Sequence, residues 1–287
     1  MDTAQQNGFD QHYLDLLKKC LTASLYDESA WHIMASSSDP SERTLKRPLH
    51  FGWQVLRDWV ARLLYTKKLL LVQERPLDMA LRNEGKDWPY FGYTMAGHRR
   101  LENVQHCVAD VLQQGIPGDL IETGVWRGGT TIFMRALLRA YNVTDRTVWV
   151  ADSFEGLPAP TAAQDQRDLS QTDFLKVSVD QVKKNFEKFD LLDDQVQFIP
   201  GWFSDTLPTA PIQQLAILRI DCDLYSSTMD VLTTLYDRVS PGGYVIVDDY
   251  YSWPECQQAV TEFLDQRNIN ADIIPIDWTG AYWQMTG

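Results

Sequence analysis

No stretch of the 287-residue sequence approaches the roughly 20 consecutive apolar residues of a membrane-spanning helix. Met1 to Asp10 lack the basic start and apolar run of a secretory signal, so a cytoplasmic protein with no membrane partner is expected. Cysteine is scarce. Cys20, Cys107, Cys222 and Cys256 form no CxxC pair and no zinc spacing, and they read as reduced, mostly buried thiols. Positive charge is also thin: 26 Lys and Arg stand against 39 Asp and Glu, a net charge of -13. Most of such a surface repels a phosphate backbone, so no nucleic-acid partner is expected. The best basic cluster, His98-Arg99-Arg100, is short and lies inside a helical pattern.

Hydrophobic residues make up 44% of the chain, enough for a full core. Tyr13, Leu16, Leu17, Cys20 and Leu21 recur at helical spacing and predict a first helix over about Phe9 to Leu25. Ser36 to Pro48 reads as a loop. Phe51 to Val72 reads as a long helix whose Val55, Trp59, Leu63 and Leu64 stripe packs on the domain or on a second subunit. Residues 1–85 are thus taken as an N-terminal helical extension, and 86–287 as the main domain. In that domain helix and strand signals alternate, as a mostly parallel, doubly wound α/β sheet with helices on both faces requires. Seven strands are expected, ending with the short segments Asp272–Ile276 and Ala281–Met285. Ser178 with Gln181 predicts a capping box for a helix over Val179–Phe189.

In an open parallel sheet, ligands gather beyond the carboxyl ends of the strands, and the unusual polar clusters fall there. Glu122-Thr-Gly-Val-Trp-Arg-Gly-Gly129 is a glycine-rich strand-to-helix turn, in which Gly124 lets backbone approach a ligand. It is a poor GxGxxG fingerprint, because Trp126 stands where the second glycine belongs. The acid ahead of the first glycine suits S-adenosylmethionine (SAM) instead, with Glu122 engaging the amino group of its methionine moiety. Asp152 ends the second strand, where an acid can accept hydrogen bonds from both ribose hydroxyls. Ser153 follows it as a further cofactor-binding candidate. Gly201-Trp202 follows the third strand, where adenine would lie; Trp202 either stacks on it or packs in the core.

Asp221 and Asp223 follow the fourth strand, and Asp248 and Asp249 the fifth. Adjacent strand ends lie about 5 Å apart, so these carboxylates can converge. Clustered without a cation, they would repel and raise one another's pKa. An oxygen-only set with no nearby His or Cys favours magnesium, calcium or manganese. Asp221, Asp248 and Asp249 are the expected ligands. The chemistry that follows is deprotonation of a substrate hydroxyl, with Asp221 as general base, and attack of the oxygen on the SAM methyl.

Taken together, Asp87-Trp-Pro89, Thr94-Met95, Arg100-Leu-Glu-Asn103, the Glu122–Gly129 turn, Asp152-Ser-Phe-Glu-Gly-Leu-Pro158, Gly201-Trp-Phe-Ser-Asp-Thr-Leu-Pro208, Asp221-Cys-Asp-Leu-Tyr-Ser-Ser-Thr228, Pro241-Gly-Gly243 and Asp248-Asp249 resemble the macrocin O-methyltransferases. These are metal-dependent enzymes that methylate sugar hydroxyls on antibiotics. The resemblance implies a Rossmann-like class I SAM-binding fold, magnesium or another divalent ion such as manganese on Asp221, Asp248 and Asp249, and Asp152 on the ribose. It also implies Thr94 and Met95 closing over the cofactor, the polar insert Ala159–Thr172 as a lid, and a homodimer or higher homo-oligomer. The acceptor would be a small molecule, a sugar hydroxyl of a glycosylated natural product, and the first 85 residues would serve oligomerisation or cap the acceptor site. Two other readings stand beside it: a metal-dependent methyltransferase for catechols or phenols, and a non-catalytic SAM-binding protein, against which the three aspartates argue. A nicotinamide dehydrogenase fits less well, given the glycine pattern and no obvious catalytic Tyr-Lys pair.

Overall fold

The computed structural model describes residues 3–26, 32–33, isolated positions between 56 and 73, 76–87 and 90–286. The strands form where the apolar runs predict them: β1 (Asp119–Thr123), β2 (Val148–Asp152), β3 (Val196–Pro200), β4 (Leu215–Ile220), β5 (Val239–Val247), β6 (Ile274–Pro275) and β7 (Ala281–Gln284). They make one seven-stranded sheet in the order β3-β2-β1-β4-β5-β7-β6. The first five strands are parallel, and β7 runs antiparallel to β5. Every residue of β4 is buried, as a central parallel strand covered on both faces must be.

Helices cover both faces. On one side pack α1 (Thr3–Leu21), α3 (His98–Gln113), α4 (Gly129–Ala140) and α5 (Val179–Lys188), against Leu120, Val150 and Ile246 of the sheet. On the other pack α7 (Tyr225–Leu235) and α8 (Pro254–Gln266), against Ile121, Leu218 and Val247. Alternate strand residues thus face alternate layers, as the pleat dictates. Two short α-helices, α2 (Met79–Asn83) and α6 (Phe203–Thr206), lie before α3 and after β3.

Helix α1 begins earlier and ends earlier than its apolar spacing predicts. Its Leu14, Leu17 and Leu21 are buried in the same cluster as Leu101 of α3 and Phe133 of α4, so it shares the core of the sheet domain. Buried Arg82 holds its C-terminal end through the Thr22 carbonyl at 2.6 Å and pairs with Asp87 at 2.7 Å. The expected loop Ser36–Pro48 lies outside the described residues. Of the expected helix 51–72, residues 56, 59–60 and 63–64 are helical, but Val72–Gln73 is a strand that pairs with His32–Ile33. Trp59 and Leu63 of its stripe are exposed.

The capping box forms only in half. Ser178 accepts from the Gln181 amide at 3.3 Å, but the Gln181 side chain donates to Asn185, one turn on, at 3.0 Å. The basic cluster also dissolves: Arg99 pairs with Glu84 at 2.8 Å, and Arg100 is buried among carboxylates. All four cysteines are free, and three are buried. No described helix is long and apolar enough to cross a membrane.

Because Leu14 is 1% exposed, Leu14→Ala should cost about 2–5 kcal/mol in urea denaturation, with one transition retained. A cost well under 1 kcal/mol would show that α1 lies outside the cooperative core.

Candidate active site

Ladder hydrogen bonds align the strand ends into a row. Gly201 donates to the Asp152 carbonyl at 2.9 Å, Gly124 to Ala151 at 2.8 Å, Asp221 to Thr123 at 2.9 Å and Asp248 to Ile220 at 2.9 Å. The row places Asp152, Gly124, Asp221 and Asp248 side by side at the carboxyl edge, where a parallel sheet binds its ligands. A cavity opens there. Met95, Gly124, Asp152, Ser153, Gly201 and Trp202 line one part, and Asp221, Asp223, Ser226 and Thr161 also line it.

Gly124 has φ +85°, and a Cβ there would overlap the Asp221 carbonyl. Glycine therefore lets β1 and β4 stay adjacent where the chain leaves the sheet. Gly129 starts α4 against the Tyr93 carbonyl, with N–H···O of 2.9 Å. That contact fixes the Thr94–Met95 segment. Met95 lines the cavity, whereas buried Thr94 accepts from the Ala96 amide at 3.0 Å and meets Thr130 at 3.3 Å, outside the cavity lining.

The Asp152 carboxylate accepts the Val125 and Phe154 amides, both at 2.7 Å, and so holds the glycine turn and the loop after β2 together. Burial raises its pKa against those hydrogen bonds. The Trp126 amide and the Ser153 hydroxyl reach the same carboxylate at 3.4 Å, longer contacts that an incoming hydroxyl would have to displace. Ser153 donates to the Gly156 carbonyl at 2.7 Å. Trp202 is 37% exposed at the cavity and belongs to neither core cluster.

Glu122 does not line the cavity. It is buried beneath it and ion-paired with Arg219, while its Oε2 has no hydrogen-bond partner. Burial pushes its pKa up to about 8, although Arg219 pulls the other way. Arg219 also pairs with Asp221 at 2.8 Å and with Asp248. Arg100 holds the other oxygen of Asp248 and lies 3.1 Å from Asp277. Asp248, Asp249 and Asp221 each offer a carboxylate oxygen, and these atoms lie within 4.8 Å of one another.

Two guanidiniums cannot neutralise Glu122, Asp221, Asp223, Asp248 and Asp249 together. Burial and the surplus charge together shift Asp221, Asp223 and Asp249 upward. Burial and Asp248 push Asp221 up to about 6; burial and Asp221 push Asp223 up to about 8. Asp249 is raised well above the usual range by burial and by Asp223. Its Oδ2 is buried without a partner. An all-oxygen set with surplus negative charge and an unpartnered buried oxygen fits a hard divalent cation.

The Macrocin-O-methyltransferase (TylF) family model matches residues 10–285. The chain belongs to the macrocin O-methyltransferase family. It is similar to demethyldecarbamoylnovobiocin O-methyltransferase of Streptomyces niveus, with 44% identity over 100% of this chain and 98% of that one. It is also similar to 8-demethyl-8-(2,3-dimethoxy-alpha-L-rhamnosyl)-tetracenomycin-C 4'-O-methyltransferase of Streptomyces olivaceus, with 53% identity over 70% of this chain and 79% of that one. The solved structure of the O-methyltransferase NovP is 44% identical and superposes with a TM-score of 0.79, covering 97% of this chain and 100% of that one. The chain is a SAM-dependent O-methyltransferase with a Rossmann-like fold.

This macrocin O-methyltransferase site includes two arginines, Arg219 and Arg100, to which the sequence motifs assign no role. Arg219 was hidden in an apolar strand, where a lone charge is itself a signal. Arg100 shares the buried face of α3 with Val104, Cys107 and Val111, another place where a charge demands a partner. Replacing Arg219 by Met should destabilise the fold by about 3–5 kcal/mol, because several buried carboxylates lose their shared cation. Denaturant titration checks this; a loss below about 1 kcal/mol would mean the cluster tolerates its own charge.

Proposed function

We propose that this enzyme methylates a hydroxyl on the sugar of a glycosylated natural product, with Mg2+ or Mn2+ held by Asp221, Asp248 and Asp249. The observation that carries the metal is the convergence of these three carboxylates, one of which, Asp249, also has a buried oxygen without a hydrogen-bond partner. The sugar acceptor is supported by the rhamnosyl substrate in the name of the 53%-identical relative. When bound, the ion supplies positive charge that makes an adjacent hydroxyl more acidic.

The chain's own residues divide the remaining work. Arg219 holds Asp221 Oδ2 at 2.8 Å and fixes that carboxylate at the cavity. Asp221 then accepts the acceptor's proton as general base. Bound SAM would supply the methyl group and leave as S-adenosylhomocysteine, its S–CH3 bond breaking as the C–O bond forms, and the cavity residues contribute by positioning the two reactants. Gly124 gives the cofactor close backbone approach, Asp152 and Ser153 serve its ribose, and Gly201 and Trp202 face the adenine. Met95 closes the methionine end, Thr94 braces it from outside the cavity, and Glu122 acts on that end from beneath, through Arg219. Within residues 1–85, α1 packs in the core, and the remainder serves subunit association or caps the acceptor site of a cytoplasmic homo-oligomer.

Asp221→Asn should lower kcat by about 10²-fold or more while S-adenosylhomocysteine (SAH) affinity stays nearly unchanged, read by rate assay and calorimetry. Near-wild-type turnover in that variant would remove Asp221 as the base. Chelator should stop wild-type turnover and added Mg2+ restore it; activity that survives exhaustive chelation would remove the metal.

A further inference from the structure

The polar insert after β2 is held at places the methyl-transfer reading does not use. Helix α7 has no cap from its own N-cap residue, Leu224. Its first amides are satisfied instead by Asp165, sixty residues upstream in the insert. Asp165 Oδ1 accepts the Tyr225 amide at 2.6 Å, and Oδ2 accepts the Ser226 hydroxyl at 2.7 Å and the Ser226 amide at 3.3 Å. The carboxylate is 6% exposed, which is unusual for an acid on a polar surface loop. An acid at a helix N-terminus is favoured both by the orphan amides and by the helix dipole. Two residues on, Arg167 stacks on Trp253 at 4.2 Å and lies 3.7 Å from Glu255, at the start of α8.

These anchors sit on the two segments that follow the carboxylate-bearing strands. Tyr225 comes directly after Asp221-Cys-Asp-Leu224, and Trp253 follows Asp248-Asp249. The ends of the insert are fixed separately, on the cofactor side. Ser153 binds the Gly156 carbonyl, and the Trp126 indole donates to the Phe174 carbonyl at 3.0 Å. The middle of the insert is therefore tied to the segments after β4 and β5 by Asp165 and Arg167, independently of its ends.

We propose that Asp165 is a positioning residue for the acceptor: by capping α7 in place of a local residue, it latches the insert against the Asp221–Asp223 loop and forms the acceptor-side wall. The role rests on the methyltransferase reading above, but the latch itself is testable without an acceptor. Losing Asp165 frees the middle of the insert and leaves its cofactor-side ends anchored. Acceptor binding then suffers more than cofactor binding. Asparagine keeps an oxygen for the Tyr225 amide and should restore most of the closed state.

Arg167 supplies the test, because it is a tryptic site inside the latched segment. In SAH-saturated protein, Asp165→Ala should speed cleavage after Arg167 by about tenfold, Ser226→Ala by less, and Asp165→Asn should return it close to wild type. Cleavage sites outside the insert should be unaffected. With demethyldecarbamoylnovobiocin as the probe acceptor, Asp165→Ala should raise KM by about tenfold while kcat and SAH affinity change little. Unchanged cleavage after Arg167 in both Asp165→Ala and Ser226→Ala would overturn the latch. So would parallel losses of SAH affinity and acceptor KM, or faster cleavage throughout the chain, since these mark general destabilisation. If the wild type does not methylate the probe, the sugar-acceptor reading is weakened, while the cleavage and SAH measurements still decide the latch.

Discussion

A guanidinium at the centre of a buried sheet must be paired, or the strand that carries it cannot stay buried. Arg219 is 1% exposed and sits in β4, a strand in which every residue is buried. It meets that demand through Glu122 on β1, Asp221 at the end of its own strand and Asp248 at the end of β5. One side chain thus cross-links the carboxyl ends of three neighbouring strands. The site's geometry follows from it. Asp221 cannot turn away from the cavity edge without abandoning Arg219, and Asp248 is held from its other side by Arg100 on α3.

The same pairing leaves the cluster short of positive charge. Arg219 keeps its proton firmly, because Asp248, Glu122 and Asp221 outweigh the cost of its burial. Burial first, and then mutual repulsion, still push Asp221, Asp223 and Asp249 upward. A cluster arranged in this way stores a demand for a cation, and rigid carboxylates that cannot spread apart suit a small, hard one. The cofactor side is built differently. Asp152 spends its oxygens on backbone amides, so the glycine turn and the loop after β2 are shaped before any ligand arrives. Such preorganisation reduces the ordering cost of binding.

Much of this was legible in the sequence. The buried parallel strands read as apolar runs, and β1, β3 and β4 have the bounds those runs predict. Because ladder register aligns their ends, Gly124, Asp152, Asp221 and Asp248 could be placed together without coordinates. What escaped was long-range. The Arg219–Glu122 pair spans 97 residues and the Arg100–Asp248 pair 148, and no local period encodes either. Asp165 looked like one more acid in a polar loop, since the helix it caps lies sixty residues away. Helix α1 was expected to begin at Phe9 because Thr3 to Gly8 show no apolar spacing, although helix can continue through such residues. Gln181 found a partner one turn along its own helix, which left the capping box half made.

The central claim is that the carboxylates at the ends of β4 and β5 hold one divalent ion beside the cofactor cavity. Titration of the purified protein with Mn2+, followed by electron paramagnetic resonance with SAH present, tests it most directly. The account predicts one bound ion per chain, released by excess Mg2+ and lost in Asp249→Asn, with SAH still bound by that variant. Absence of stoichiometric binding, or binding untouched by Asp249→Asn, would contradict it and leave the buried carboxylates without their cation.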